Sequence, residues 1–210
     1  MAAPPDINCT NLTGKFVMNK SLSDDMDPFL TLQGLSWFTR KAIALATVVL
    51  TIREYFKDAL WHIDITSVAS GLSTTQEDRT LDWQDRDHED KIFGKCRGKS
   101  RLFKMGEYQM EGPGSPEDAV FLQADKLKDG KTDSRFVDEE HVQSIVKQVG
   151  GGDWTAEQVW GFEEINGERR YTRRLIVWKA GKEEKCRLVY DYKGAVEKDD
   201  DDEDLAYGEE

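Results

Sequence analysis

Cysteine and histidine are scarce in this chain. Cys9, Cys96 and Cys186 make an odd, thin set, which excludes a disulfide framework and suits a reducing compartment. The sequons at Asn8, Asn11 and Asn19 then read as chance matches in an unsecreted chain. His62, His88 and His141 stand apart, with no His-x-x-x-His or Cys-x-x-Cys near them, so no metal site and no Cys–His nucleophile are expected. Long hydrophobic runs are missing too. The longest, residues 42–50, falls far short of the ~20 residues that cross a bilayer. The opening residues carry neither a basic region nor an apolar core, so no signal peptide is expected. Basic residues are in deficit, 29 Lys and Arg against 41 Asp and Glu, which argues against a nucleic-acid partner. No phosphate-cradling loop is visible: Gly150-Gly-Gly152 follows a helix-like stretch, not a strand, and no cofactor is expected.

What the chain does have is aromatic mass. Hydrophobic residues are 38 % of the 210, on the low side, but six Trp, nine Phe and six Tyr restore the means to build one core. The net charge of -12 is lopsided. Residues 197–210 hold nine acidic side chains against Lys198, a net of -8 that leaves -4 for residues 1–196. Residues 1–12 read as a flexible arm, residues 13–193 as a single domain, and residues 194–210 as a disordered acidic tail.

Periodicity orders the domain. Residues 13–19 alternate as a first strand. Asp27 and Pro28 mark a helix start and Gly34 its stop. Ser36 caps a second helix whose shared face is Trp37, Lys41, Ala44 and Leu45. From Thr47 the period is two: residues 47–55 and 60–66 pair across a polar turn, with Trp61, Ile63 and Ile65 on one side. Residues 73–83 and 90–103 read as further strands around a charged turn at 84–89. Residues 105–152 break the rhythm as an inserted loop and one helix, with Val142, Ile145, Val146 and Val149 at helical spacing. A meander follows: residues 156–165, the hairpin signal Asn166-Gly167, residues 168–178 and residues 184–192. Eight or more strands in hairpin order, with a two-helix lid after the first, predict a mainly β fold, a closed antiparallel up-and-down β-barrel.

Particular residues carry a resemblance. Gly14-Lys-Phe16, the run from Ser23 to Leu30, Gly34 and Arg40-Lys-Ala42 are similar to the opening strand and helical portal of the intracellular fatty-acid-binding proteins of the calycin group, over residues 12–55. Ser23-Asp-Asp, Leu32-Gln-Gly34, Trp37, Arg40-Lys-Ala42, Leu81-Asp-Trp83, Ile92-Phe-Gly94 and Trp160-Gly-Phe162 resemble a family of small fungal lipocalin-like proteins. Near that family stand the hetero-Diels–Alderases of tropolone-sesquiterpenoid biosynthesis, cofactor-free β-barrel enzymes whose catalytic positions do not transfer here. One departure counts against fatty acid. The carriers clamp a carboxylate with Arg-x-Tyr on the last strand, whereas Arg187-Leu-Val-Tyr190 is one residue longer, which turns the two side chains to opposite faces. Tyr171 and Arg173 have the i, i+2 spacing, on the preceding strand.

The candidate site is therefore aromatic with a few arginines. Trp37, Arg40, Trp83, Phe93, Trp160, Tyr171, Trp178 and Tyr190 are the expected ligand-binding set, each also explicable as ordinary core or surface. Arg173 and Tyr190 are the catalytic candidates, because an inward donor polarises a carbonyl. An aromatic lumen suits an apolar, unsaturated small molecule. The leading expectation is a cofactor-independent cyclase or pericyclase, of hetero-Diels–Alder type, in fungal secondary metabolism. The alternatives are a non-catalytic intracellular carrier of fatty acid or another hydrophobic ligand, and a scaffold acting through the acidic tail. A cytoplasmic monomer or weak homodimer is expected.

Overall fold

The computed structural model describes residues 1–196, and the acidic tail lies outside the described residues, save Gly194 to Val196. Ten strands form one antiparallel sheet: β1 (Gly14–Met18), β2 (Val48–Lys57), β3 (Leu60–Ala69), β4 (Ser73–Thr80), β5 (Arg86–Asp90), β6 (Gly94–Lys104), β7 (Glu140–Gln148), β8 (Thr155–Ile165), β9 (Glu168–Lys179) and β10 (Lys182–Gly194). Three helices join them, α1 (Asp27–Leu32), α2 (Trp37–Leu45) and α3 (Pro116–Leu122), with a 3-10 turn at Met105–Glu107. The order is β4-β3-β2-β1-β10-β9-β8-β7-β6-β5, so the first strand pairs with the last and the sheet curls. No ladder joins β4 to β5 among the described residues. The seam carries instead an isolated Asp82–Arg101 bridge and the Trp83 N–H donating to the Ser100 carbonyl at 2.9 Å.

Turn chemistry sets the register. Asn166 and Gly167 have φ of 54° and 76°, and Ala180 and Gly181 of 51° and 74°, the left-handed pair that twists a two-residue hairpin correctly. The alternation expected on β3 holds, with Ile63 and Ile65 buried in the interior beside Phe16, Leu50 and Ile52.

The stretch expected as a helix over 137–149 is the strand β7, paired to β6 and β8. His141 through Ile145 are all buried. A strand covered on both faces shows no period of two, and its β-branched residues then fall at helix-like spacings. The cover is residues 105–139, which lie on the outer face of β7 to β10. Phe121 and Leu122 of α3 pack there against Val159, Ile176 and Trp178. The inserted helix is thus α3, started by a reciprocal cap between Ser115 and Asp118.

Three further expectations are corrected. Residues 86–90 form β5, not a turn, and the chain reverses after Asp90. The α2 face of Trp37, Lys41 and Leu45 points to solvent, with Trp37 55 % and Leu45 84 % exposed. Ile43 is the residue that packs inward. Residues 1–12 are no loose arm: Ala3, Ile7, Cys9 and Leu12 are buried in the main core. The Ala3 N–H donates to the Arg169 carbonyl (2.7 Å), Arg169 Nη1 to the carbonyls of Pro4 and Ile7, and the Leu12 N–H to Glu54 Oε2 (2.5 Å).

Candidate functional site

Alternation along β8, β9 and β10 decides what reaches the interior. On β9 the odd positions Tyr171, Arg173, Leu175 and Val177 belong to the inner cluster, whereas Ile176 and Trp178 belong to the outer one. Trp160 on β8 lies opposite Arg173, and Tyr190 on β10 opposite Tyr171. These four form the centre of the site.

Arg173 is 6 % exposed and fixed from two sides. Its Nε donates to the Tyr171 hydroxyl at 2.9 Å, and its guanidinium carbon lies 4.0 Å from the centroid of the Trp160 indole. The Tyr171 and Tyr190 rings are 5.6 and 5.8 Å away. Among the described residues, Nη2 of Arg173 has no hydrogen-bond partner. Burial pushes the Tyr171 hydroxyl up and Tyr190 up to about 12, outweighing the pull of the Arg173 charge. Both phenols therefore stay protonated at neutral pH.

A second guanidinium comes from the seam. Arg79 on β4 donates through Nη1 to Ser144 (2.7 Å) and Ser100 (3.2 Å), and through Nη2 to Glu77 (2.7 Å). Its guanidinium carbon lies 5.2 Å from the Trp160 centroid, and its Nε is buried without a partner among the described residues. Burial raises the Glu77 carboxyl, but the charges of Arg79 and Arg173 outweigh it and hold Glu77 below the usual range. The indole N–H of Trp160 donates to Gln158 at 2.7 Å.

The α1–α2 linker lies at the opposite end of the sheet from the N-terminal segment. There a cleft of about 300 Å³ opens between the α1–α2 linker and the β5–β6 and β7–β8 turns, lined by Leu35, Ile92, Phe93, Gln148 and Trp154 among others. Phe93 and Trp154 meet edge to face at 5.7 Å.

The fold scatters the rest of the expected set. Trp37 is on the solvent side of the lid. Arg40 staples the lid, donating to Asp27 (3.1 Å) and to the Leu35 carbonyl (2.7 Å). Trp83, at φ 61°, lies under Lys99 and Arg101, outer-face residues of β6. Trp178 packs beneath α3 and donates to Asp118 at 3.0 Å. Phe93 alone of the five lines that cleft. Arg187 faces outward to Glu163 (3.1 Å) while Tyr190 faces inward, so the carriers' last-strand clamp is absent at those two positions. Arg79 and Arg173 are two of the strand arginines, with Arg170, Arg174 and Arg187, of which one or two are expected inward; Glu77, Ser100 and Ser144 are not singled out by the sequence. The one signal for Arg79 and Glu77 in the sequence is a period-two polar pattern on β4, which reads as solvent exposure until the opposite strands are placed; Ser100 and Ser144, on β6 and β7, carry none.

No protein-family model matches the chain. Two proteins are similar along most of its length. The probable pericyclase scpY of Mollisia scopiformis is 27 % identical over 202 residues, covering 92 % of this chain and 95 % of that one. The pericyclase pydY of an Acremonium species is 26 % identical over 203 residues, covering 92 % and 98 %. Among solved structures, apo lipid binding protein 8 of Caenorhabditis elegans matches with a TM-score of 0.54 at 10 % identity, covering 87 % of this chain and 95 % of that one. The fold is thus the curled antiparallel sheet of the calycin-like lipid-binding proteins. In sequence the chain resembles a fungal calycin-like family near the Diels–Alderases, through its likeness to these two pericyclases.

Proposed function

We propose that the protein is a cofactor-independent pericyclase whose curled sheet acts as a closed barrel around an apolar, unsaturated substrate. The substrate enters at the mouth cleft past Phe93, and Trp160, Tyr171 and Tyr190 hold it folded for a hetero-Diels–Alder-type cycloaddition in fungal secondary metabolism. Arg173 is the catalytic donor. The observation that carries this reading is its buried, unpartnered Nη2, held still by Tyr171 and Trp160. A donor fixed in advance stabilises developing negative charge on a carbonyl without reorganising, and removing such a group slows reaction by ~10²–10³. Orientation of the two reacting ends supplies the rest. The likeness to scpY and pydY supports the reaction class.

A non-catalytic carrier of a hydrophobic ligand is the second reading, favoured by the calycin-like fold. Native mass spectrometry of protein purified from its own source, with chemical identification of what co-purifies, separates the two. A polyene or its cyclised product is expected, with Arg173→Gln slowing its cyclisation ~10²-fold or more. A mixture of ordinary fatty acids, with no ring formed on incubation, would sink the pericyclase reading.

A further inference from the structure

The interior around Trp160 holds two cations and one anion. Arg79 and Arg173 both lie over the same indole, and Glu77 is the carboxylate beside them. Glu77 pairs directly with Arg79, whose remaining Nη is taken by two serine hydroxyls. Arg173 has only the neutral hydroxyl of Tyr171, and among the described residues no carboxylate stands within ion-pair distance of it. The site thus keeps one positive charge uncompensated, and two N–H groups, Arg173 Nη2 and Arg79 Nε, unpartnered. A buried guanidinium without an anion costs several kcal/mol. Elsewhere in this chain the fold avoids that cost: Arg174, fully buried on the outer face, has both oxygens of Glu163 at 2.9 Å. The contrast between neighbouring residues of one strand marks Arg173 as a charge whose partner comes from outside the described residues.

We propose that the site takes its ligand as an oxygen monoanion, a carboxylate or an ionised 1,3-dicarbonyl enol, seated on Nη2 of Arg173 and Nε of Arg79. The apolar, unsaturated body of the ligand runs from there toward the mouth. This rests on the reading of Arg173 as the substrate's donor and names the group it meets. A planar, delocalised anion matches the guanidinium fork. The site is not the carriers' clamp, since Arg187 belongs to the outer face and both cations here come from β4 and β9.

Titration calorimetry on the full chain tests it with three probes of equal chain length: a conjugated dienoic acid, its methyl ester, and a cyclic 1,3-diketone carrying the same chain. At a pH where the acid and the diketone are ionised, at least one of them binds the wild type about ten- to hundredfold more tightly than the ester. The tighter of the two names the source of the anion. Arg173→Gln and Arg79→Gln each erase that preference, so that the acid, the diketone and the ester bind each variant with affinities within about twofold of one another. Equal affinity for all three probes in the wild type overturns the proposal but leaves the apolar site standing. Binding of none of them overturns the site itself. If Arg173→Gln fails to fold, the wild-type comparison and Arg79→Gln still decide.

Discussion

Glu163 shows how much one side chain carries here. It is 1 % exposed and accepts from Arg174 through both oxygens, from Arg187 at 3.1 Å and from Thr172 at 2.9 Å. Burial raises its carboxyl, and the hydrogen bonds and charge of Arg174 overcome that and hold it low. Glu163→Ala leaves the buried Arg174 charge uncompensated, so a loss of about 3–5 kcal/mol is expected in chemical unfolding; a change within error would mean that Arg174 finds water. His141 is a second case. Buried between Phe103 and Phe136, it is pushed down to about 4, chiefly by desolvation. Its folded pKa lies below its unfolded value of 6.5, so its contribution is whole above pH 6.5 and drains as pH falls toward 4. His141→Leu should flatten that acid limb in thermal unfolding measured across pH.

At the scale of elements, the N-terminal segment and the outer layer are the parts that the sequence concealed. Glu54 holds Leu12 and is raised to about 8, desolvation outweighing the Leu12 hydrogen bond. Its folded pKa exceeds the model-peptide 4.5, so its stabilising contribution is whole below pH 4.5 and drains as pH rises through about 8. The protection factors of residues 3–12, with the intrinsic base-catalysed exchange divided out, should fall over that range, and Glu54→Gln should remove the fall; protection that does not change with pH in the wild type would refute it. Trp178 tests the outer layer. It fills the space between Gly112, Gly114 and Asp118, where a Cβ on Gly112 would collide with its ring. Trp178→Ala should cost about 3–5 kcal/mol in stability yet leave ligand affinity unchanged in the fraction that stays folded. A selective loss of affinity would return Trp178 to the binding set.

For the molecule as a whole, the sheet has two edges, and the seam between them is held by the Asp82–Arg101 bridge, the Trp83–Ser100 backbone hydrogen bond and side chains. Arg79 reaches from β4 to Ser100 on β6 and Ser144 on β7. Cutting that link by Arg79→Ala should speed amide exchange in β4 and β6 ahead of β8 and β9, whose ladder runs the full length of both strands. Uniform acceleration across the sheet would show that the seam is not a separate unit.

Local signals determined much of this protein from the sequence by itself. Turn residues with φ above zero set the Asn166-Gly167 hairpin, alternation set the face of Ile63 and Ile65, and the extra residue between Arg187 and Tyr190 turned the two apart. The pairing of Tyr171 with Arg173 was legible for the same reason, since residues two apart on a strand share a face. What lay beyond the sequence was everything set by burial from a distant segment. β7 hid its strand period because residues 105–139 cover its outer face, and that cover also took Trp178 out of the interior. The lid reversed its apparent apolar face because only the contact through Ile43 decides which side of a short helix packs. Arg79 and Glu77, polar residues on an edge strand, became interior groups when the sheet curled and brought β6 and β7 opposite them. A side chain's local pattern records its face; which face is inside is a property of the closed packing, and only the tertiary structure decides it.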